Sequence, residues 1–72
     1  MTTEEKIAML EDIMDLDEGM LTLDSVLNDF EEWDSLSKLS LIVAAKQNFG
    51  MILKADALQD FKTVADICNY LR

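Results

Sequence analysis

The feature of this sequence that most constrains its fold is the apolar run from Leu36 to Phe49, near the middle of 72 residues. Hydrophobic residues recur along this run at helical spacing, and the sequence contains no proline that would interrupt a helix. Gly50 follows directly and can take the left-handed conformation that ends many helices. The sequence therefore predicts a central helix over residues 35–49.

This central helix has a clear beginning as well as a clear end. Asp34 stands at the N-cap position, where its carboxylate can accept hydrogen bonds from the first unpaired backbone N–H groups. Ser35 is then the first helical residue, and its hydroxyl lies at the positive end of the helix dipole, a favourable place for a phosphate. A serine in this setting is suited to carry a prosthetic group through a phosphodiester bond.

The motif Asp34-Ser35-Leu36, the helix after it and Phe49-Gly50 resemble the acyl carrier protein family, over essentially the whole chain. In that family the serine of the Asp-Ser-Leu motif carries 4′-phosphopantetheine. The resemblance therefore implies covalent attachment at Ser35, with Asp34 and Leu36 as its neighbours in the cofactor site. It also implies that a phosphopantetheinyl transferase supplies the group from coenzyme A, and that Asp34 holds the helix start and assists this metal-assisted phosphoryl transfer.

The resemblance implies an all-α fold, a four-helix acyl-carrier-like bundle with a long first loop and a short third helix, as a single domain over residues 1–72. The hydrophobic pattern and the capping residues predict where the helices lie. The first begins with a capping box of Thr2 and Glu5 and ends near Leu16. A short third helix is predicted over residues 55–60, and a last helix after the capping residue Thr63. We expect the buried residues of the first and last helices to be Ile7, Leu10, Ile13, Met14, Val64, Ile67, Cys68 and Leu71.

The long connection over residues 17–34 is expected to be an ordered loop packed across the helices. A single helical turn capped by Asp24-Ser25 is predicted within it. The acidic residues of the first helix, including Glu11, are expected on its solvated face, and Met51-Ile52-Leu53 is expected as a loop buried against the core. The predicted anchors of the long connection are Leu21, Leu23, Val26, Leu27 and Phe30.

The central helix carries two apolar stripes, which lie on different sides at about 100° per residue. One stripe is core, and the other contacts a second part of the core or marks a partner site. The family resemblance places Leu36, Leu39 and Val43 on the partner-facing surface, together with the polar neighbours Ser40 and Gln47. The predicted core stripe is then Leu41, Ile42, Ala45 and Phe49.

The sequence departs from its family along this helix. Carriers of fatty acid synthesis usually place acidic residues on the partner face, whereas this chain has Ser37, Ser40, Lys46 and Gln47 at the matching positions. This difference argues against recognition by the general fatty acid enzymes. It favours a specialised carrier that is dedicated to one fatty acid or secondary-metabolite pathway.

The net charge of −9 argues against binding to nucleic acid or to anionic membranes, and for basic partners. The charge is uneven, since residues 1–34 hold twelve acids and one base, whereas residues 35–50 hold two lysines and no acid. The acids before the serine are either a solvated rim or a landing site for basic partner enzymes, and both interpretations stand. They are Asp29, Glu31, Glu32 and Asp34.

Several classes of protein are excluded by composition. With no histidine and a single cysteine, the chain offers no Cys/His nucleophile, no conventional zinc site and no internal disulfide. The segment Asp15–Gly19 fails as a calcium loop, because Gly19 stands one residue before the position that requires glycine and Val26 stands where a closing glutamate belongs. We therefore predict no catalytic residue, no metal site and no enzyme activity, and expect Cys68 to pack as a small hydrophobe. With no long apolar segment and an acidic N-terminus, we expect a cytoplasmic monomer that does not insert into membranes.

The function implied by the resemblance is to hold acyl groups as thioesters on a phosphopantetheine arm at Ser35. Its partners would be the phosphopantetheinyl transferase and acyl-loading and acyl-processing enzymes. Two alternatives stay open. One is an aminoacyl or peptidyl carrier that uses the same serine, and the other is a plain interaction module without a prosthetic group.

The uneven charge should make the stability of the folded chain depend on salt concentration. The twelve acids of residues 1–34 face few compensating bases, so their repulsion weakens the folded state at low ionic strength. Added monovalent salt should raise the midpoint of thermal unfolding at neutral pH, as followed by circular dichroism. A midpoint that stays flat or falls with salt would mean that the acids are already locally compensated.

Overall fold

A computed structural model describes residues 2–71, and Met1 and Arg72, the two ends of the predicted domain, lie outside the described residues. The described residues form four α-helices joined by a long first connection, which includes a short 3₁₀ turn at Leu27–Asp29. The predicted all-α bundle with a long first loop and a short third helix is confirmed. The helices are α1 (Thr3–Ile13), α2 (Ser35–Phe49), α3 (Ala55–Asp60) and α4 (Val64–Tyr70). Within residues 2–71, no helix is both long enough and apolar enough to cross a membrane.

Helix α1 begins where the sequence predicts and ends earlier. The Thr2 hydroxyl accepts from the Glu5 N–H at 3.1 Å, and the Glu5 carboxylate accepts from the Thr2 N–H at 3.0 Å, which confirms the capping box. The helix stops at Ile13 because Asp15 takes a positive φ of 55°, which a right-handed helix excludes. The Leu16 N–H then donates back to the Glu11 carbonyl at 2.8 Å and closes the end of the helix.

Glu11 is buried, so its predicted place on a solvated face is wrong. Its side chain is only 5% exposed, and its Oε2 atom accepts from the N–H groups of Gly19 at 2.8 Å and Leu21 at 3.0 Å. These two bonds satisfy the carboxylate away from water and tie the start of the long connection to α1. Asp12 and Asp15 are exposed, as expected.

The rest of the long connection is held by backbone pairing with the segment between α3 and α4. Val26 and Thr63 face each other in a short antiparallel bridge. This pairing replaces the helical turn predicted at Asp24-Ser25, and the short 3₁₀ turn lies instead at Leu27–Asp29. Three N–H groups donate across the bridge: Leu27 to the Lys62 carbonyl at 2.9 Å, Val64 to Ser25 at 3.0 Å and Ala65 to Leu23 at 3.0 Å.

The predicted anchors of this connection are only partly correct. Leu21 and Leu27 are buried and Phe30 packs against the core, whereas Leu23 and Val26 are exposed. Successive side chains of an extended segment point to opposite sides, so burying Leu27 turns Val26 toward solvent. Leu23 is held through its backbone carbonyl rather than through its side chain.

The two stripes of α2 face as the sequence predicts. Leu41 and Ala45 are fully buried, and Ile42 and Phe49 pack partly buried against the core. Gly50 ends the helix with a φ of 64°, the left-handed conformation in which glycine avoids steric strain. The opposite stripe is exposed, with 74% of Leu36, 58% of Leu39 and 49% of Val43 accessible to solvent.

The C-terminal third of the chain closes the core. Thr63 and Asp66 form a capping box at the start of α4, and hydrogen bonds from the Lys62 and Thr63 N–H groups hold the pKa of Asp66 below its usual value. The prediction that Ile52 is buried in its loop is wrong, because Ile52 is 78% exposed while its neighbour Leu53 is buried. This is the alternation of an extended segment. The predicted interior residues Val64, Ile67, Cys68 and Leu71 are all buried, and so are Leu58 and Phe61 at and after the end of α3.

Cys68 packs inside, as predicted, and burial raises the pKa of its thiol above its usual value. Its backbone carbonyl accepts from the Lys6 ammonium at 3.1 Å, which links α4 to α1. The same ammonium lies 5.9 Å from the centroid of the Phe49 ring, so it also contacts the end of α2.

The opposite burial of two leucines on α2 gives a direct test of the face assignment. Leu41→Ala should lower the free energy of unfolding by about 2–5 kcal/mol, because it leaves a cavity in a small core. Leu39→Ala, whose side chain is mostly in water, should cost less than about 1 kcal/mol. Urea titrations of both variants measure the difference, and equal losses would mean that the faces are assigned wrongly.

Candidate functional site

The candidate site is built around the first residue of α2. Asp34 caps this helix, since its Oδ1 atom accepts from the Ser37 N–H at 3.0 Å, and the predicted N-cap is confirmed. Ser35 begins the helix and is exposed, as is the neighbouring Leu36. The hydroxyl is therefore carried at the positive end of a helix of four turns and is accessible to a large co-substrate.

Ser37 does not lie on the partner-facing surface, contrary to the sequence-based assignment. It is buried, and its hydroxyl donates to the backbone carbonyl of Glu32, with the Ile13 carbonyl as a second acceptor at 3.5 Å. Ser37 therefore joins the segment before the cap to α2 and to the end of α1. Its spacing of four residues from Leu41 could have revealed this, because that spacing places both on the core stripe.

Trp33 anchors the segment that precedes the Asp34 cap. Its side chain is only 7% exposed, and its backbone N–H donates to the Phe30 carbonyl at 3.1 Å. The Lys38 ammonium lies 5.8 Å from the centroid of the indole ring, one turn into α2. Burial of the indole and this cation–π contact hold the approach to Ser35 in one conformation.

Two grooves open along α2 from this point. The first, of about 270 Å³, has Ser35 at its rim and lies between α2 and α3. The second, of about 630 Å³, lies further along α2 and is bounded by the loop that precedes α3. Ile42 lines both, so the two grooves form one continuous face. The first is lined by Ser35, Lys38, Leu39, Ile42, Ala55, Leu58 and Gln59. The second is lined by Ile42, Val43, Lys46, Gln47, Met51, Ile52 and Leu53.

The residues at this site fit an ester-linked phosphate group. Ser35 offers an exposed oxygen, the N-terminal end of α2 favours a negative charge, and the Asp34 carboxylate is already held by the Ser37 N–H. Within residues 2–71, no three His, Cys, Asp or Glu side chains are grouped to hold a metal ion. The arrangement presents a hydroxyl for modification.

The five residues predicted to bind partners are all exposed on α2, and their role in binding stays a prediction. Sequence reasoning missed Ile52, which lines the larger groove together with Lys46, a residue that the sequence analysis places at a partner-face position. No local pattern marks Ile52, because its exposure follows from how the loop packs Leu53 inward. The five predicted residues are Leu36, Leu39, Ser40, Val43 and Gln47.

Comparisons with known proteins agree with this geometry. The family profile described as "Phosphopantetheine attachment site" matches residues 7–71. A protein of Onion yellows phytoplasma (strain OY-M), named acyl carrier protein, is 35% identical over 68 residues, which is 93% of this chain and 90% of that protein. Another acyl carrier protein, from Aster yellows witches'-broom phytoplasma (strain AYWB), is 36% identical over 58 residues, 81% of this chain and 76% of that relative.

A third protein with the same name, from Thermobifida fusca (strain YX), is 46% identical over a shorter stretch of 39 residues. That stretch covers 54% of this chain and 49% of the relative, so this match spans about half of each protein. No solved structure gave a significant match.

Ser37 is buried and Ser40 is exposed on the same helix, so the pair allows a test of whether the Ser37 hydroxyl stabilises the segment before the cap. Ser37→Ala should lower the free energy of unfolding by about 1–3 kcal/mol, because it leaves the Glu32 carbonyl without its donor. The exposed Ser40→Ala is the matched control and should change stability by less than about 0.5 kcal/mol. Urea denaturation compares them, and a neutral Ser37→Ala would show that the bond does not hold the segment before the cap.

Proposed function

Because the chain belongs to the phosphopantetheine attachment site family, we propose that it holds acyl groups as thioesters on a 4′-phosphopantetheine arm attached to Ser35. Members of this family carry the arm covalently and are carriers rather than enzymes. The observation that carries the proposal is the exposed Ser35 hydroxyl, placed by the Asp34 cap at the first position of α2. When bound, the arm supplies the thiol that forms the thioester.

Each residue of the site has a distinct part in loading. The Ser35 oxygen forms the new bond to phosphorus and loses its proton, while the pyrophosphate bond of coenzyme A breaks and adenosine 3′,5′-bisphosphate leaves. Asp34 caps the start of α2 and thereby fixes Ser35 as the first helical residue. Trp33 and Ser37 keep the preceding segment in place, and the exposed Leu36 adjoins the attachment point.

The proposed partners are a phosphopantetheinyl transferase and enzymes that load and process the acyl group. The exposed residues of α2, chiefly Leu39 and Val43, would form their contact surface, since apolar side chains in water gain from being covered. The absence of acids on α2 supports service to a specialised pathway rather than to general fatty acid synthesis.

An aminoacyl or peptidyl carrier would use the same serine and the same arm. The apolar walls of the groove beside Ser35, formed by Leu39, Ile42 and Leu58, favour acyl cargo. The mass of the loaded protein distinguishes the two types of cargo.

The proposal is tested by loading the purified protein in vitro. Incubation with coenzyme A, magnesium and a broad-specificity phosphopantetheinyl transferase should add one phosphopantetheine, as measured by intact-protein mass spectrometry. Ser35→Ala should abolish the increase, whereas Thr3→Ala, which removes an exposed hydroxyl on α1, should load normally. An unchanged wild-type mass with several transferases would refute the carrier function, and loading of Ser35→Ala would place the site elsewhere.

A further inference from the structure

The stretch from Ser35 to Ala55 has an unusual charge for this chain. It contains Lys38, Lys46 and Lys54 and no acidic residue, although the whole chain carries a net charge of −9. The acids are concentrated before it, where residues 1–34 carry a net charge of −11. The surface formed by α2 and the following loop therefore has the opposite sign from most of the molecule.

Exposed apolar side chains gather on the same surface. The larger groove is bordered by Val43, which is 49% exposed, and by Ile52, which is 78% exposed, and the exposed Lys46 lines it. Lys54 is also exposed and directly follows Leu53 of the groove wall. Lys38 differs from these two lysines, since its ammonium lies over the Trp33 ring. We name the surface of Leu39, Val43, Lys46, Ile52 and Lys54 the basic–apolar face.

The exposed apolar side chains and the lysines beside them together indicate which kind of partner can bind this face. An exposed apolar strip gains free energy when a partner covers it, but lysines at its edge disfavour a partner that brings its own cations to the same place. Carboxylates at the partner's edge would instead pair with Lys46 and Lys54. At physiological salt the Debye length is about 8 Å, shorter than the smallest dimension of the molecule, 18 Å. Acids on the opposite side of the molecule are therefore screened from a partner docked at Lys46 and Lys54, and the nearest acid in the chain is Asp56, two residues after Lys54.

We propose that the basic–apolar face docks a partner protein whose surface presents an apolar strip flanked by carboxylates. The inference rests on the proposed function, because such a partner would work on the group carried at Ser35. Lys46 follows Ser35 by eleven positions of the helix, or about 16.5 Å along α2. A partner centred on Val43 therefore covers the groove while its neighbouring surface reaches the attachment point.

The charges also give the docked partner one orientation. Glu31, Glu32 and Asp34 are exposed just before α2, whereas Lys46 and Lys54 lie at and beyond its far end. A partner bound in reverse would set its carboxylates against the acidic end and lose both ion pairs. The polarity of α2 therefore favours the orientation in which the partner's carboxylates lie toward Lys46 and Lys54 and away from the acidic residues before Ser35.

The test uses two helical peptides of about 18 residues, five turns, as partner-like probes. Both carry one leucine strip, flanked by glutamates in one peptide and by lysines in the other. Each is titrated into the ¹⁵N-labelled full-length protein at about 0.15 M salt. The glutamate peptide should shift the amide signals of Leu39, Val43, Lys46 and Ile52 in a saturable manner. The lysine peptide should instead shift signals within the acidic residues 1–34.

A pair of charge variants separates local pairing from net charge. Lys46→Gln with Lys54→Gln should weaken binding of the glutamate peptide by about fivefold, since two exposed ion pairs are lost. Thr3→Glu with Ala8→Glu changes the net charge by the same two units at exposed positions of α1. This control should leave the dissociation constant within about twofold, because its charges are screened at that salt.

Three results would overturn the proposal. In the first, the lysine peptide binds the basic–apolar face as tightly as the glutamate peptide does, and in the second neither peptide causes a saturable shift. In the third, the signals of that face shift with protein concentration alone. The last result would identify a second copy of the chain as the occupant. The same titration on Ser35→Ala protein should be unchanged, because the peptide contacts do not involve the arm. Failure of docking is thereby separated from failure of loading at Ser35.

Discussion

The hydrogen bond from the Ser37 N–H to the Asp34 carboxylate, 3.0 Å long, determines where α2 begins, and the rest of the structure depends on that position. With Ser35 as the first helical residue, Leu41 and Ala45 face the core and Leu39 and Val43 face solvent. Beginning the helix one residue later would turn its faces by about 100° relative to the cap. The cap therefore sets the exposed serine and the buried stripe together.

The cap stays in place because several unrelated contacts hold the chain that leads to it. The Ser37 hydroxyl binds the Glu32 carbonyl, and Trp33 is buried beneath Lys38. Further back, Glu11 holds the backbone of Gly19 and Leu21, and the backbone of residues 23–27 pairs with residues 62–65. Each such hydrogen bond contributes only about 1 kcal/mol. Their distribution over α1, α2 and the start of α4 fixes a long connection that contains only a short 3₁₀ turn among its described residues, and with it the position of Ser35, the proposed attachment point.

The parts of the fold that depend on neighbouring residues were predictable from the sequence. Both capping boxes, the Asp34 cap and the Gly50 stop are local rules, and the two stripes of α2 follow from its period. The burial of Glu11 was not predictable in this way, because it depends on contact with the backbone of Gly19 and Leu21 in the following connection. The burial of Ser37 was predictable, because its spacing of four residues from Leu41 places it on the core stripe. At the candidate site, Asp34 and Ser35 were predictable, whereas the contribution of Ile52 to the groove depends on how its loop packs.

Ser35 is proposed to carry a phosphopantetheine arm and its acyl cargo in the cell. The most direct measurement is the intact mass of the protein isolated from its native host, followed by fragmentation to locate the modification. The expected result is a mass above that of the bare polypeptide by one phosphopantetheine, alone or with an acyl group, located at Ser35. Only bare polypeptide, or a modification at another residue, would contradict the account, and an aminoacyl or peptidyl cargo would contradict its assignment of acyl groups.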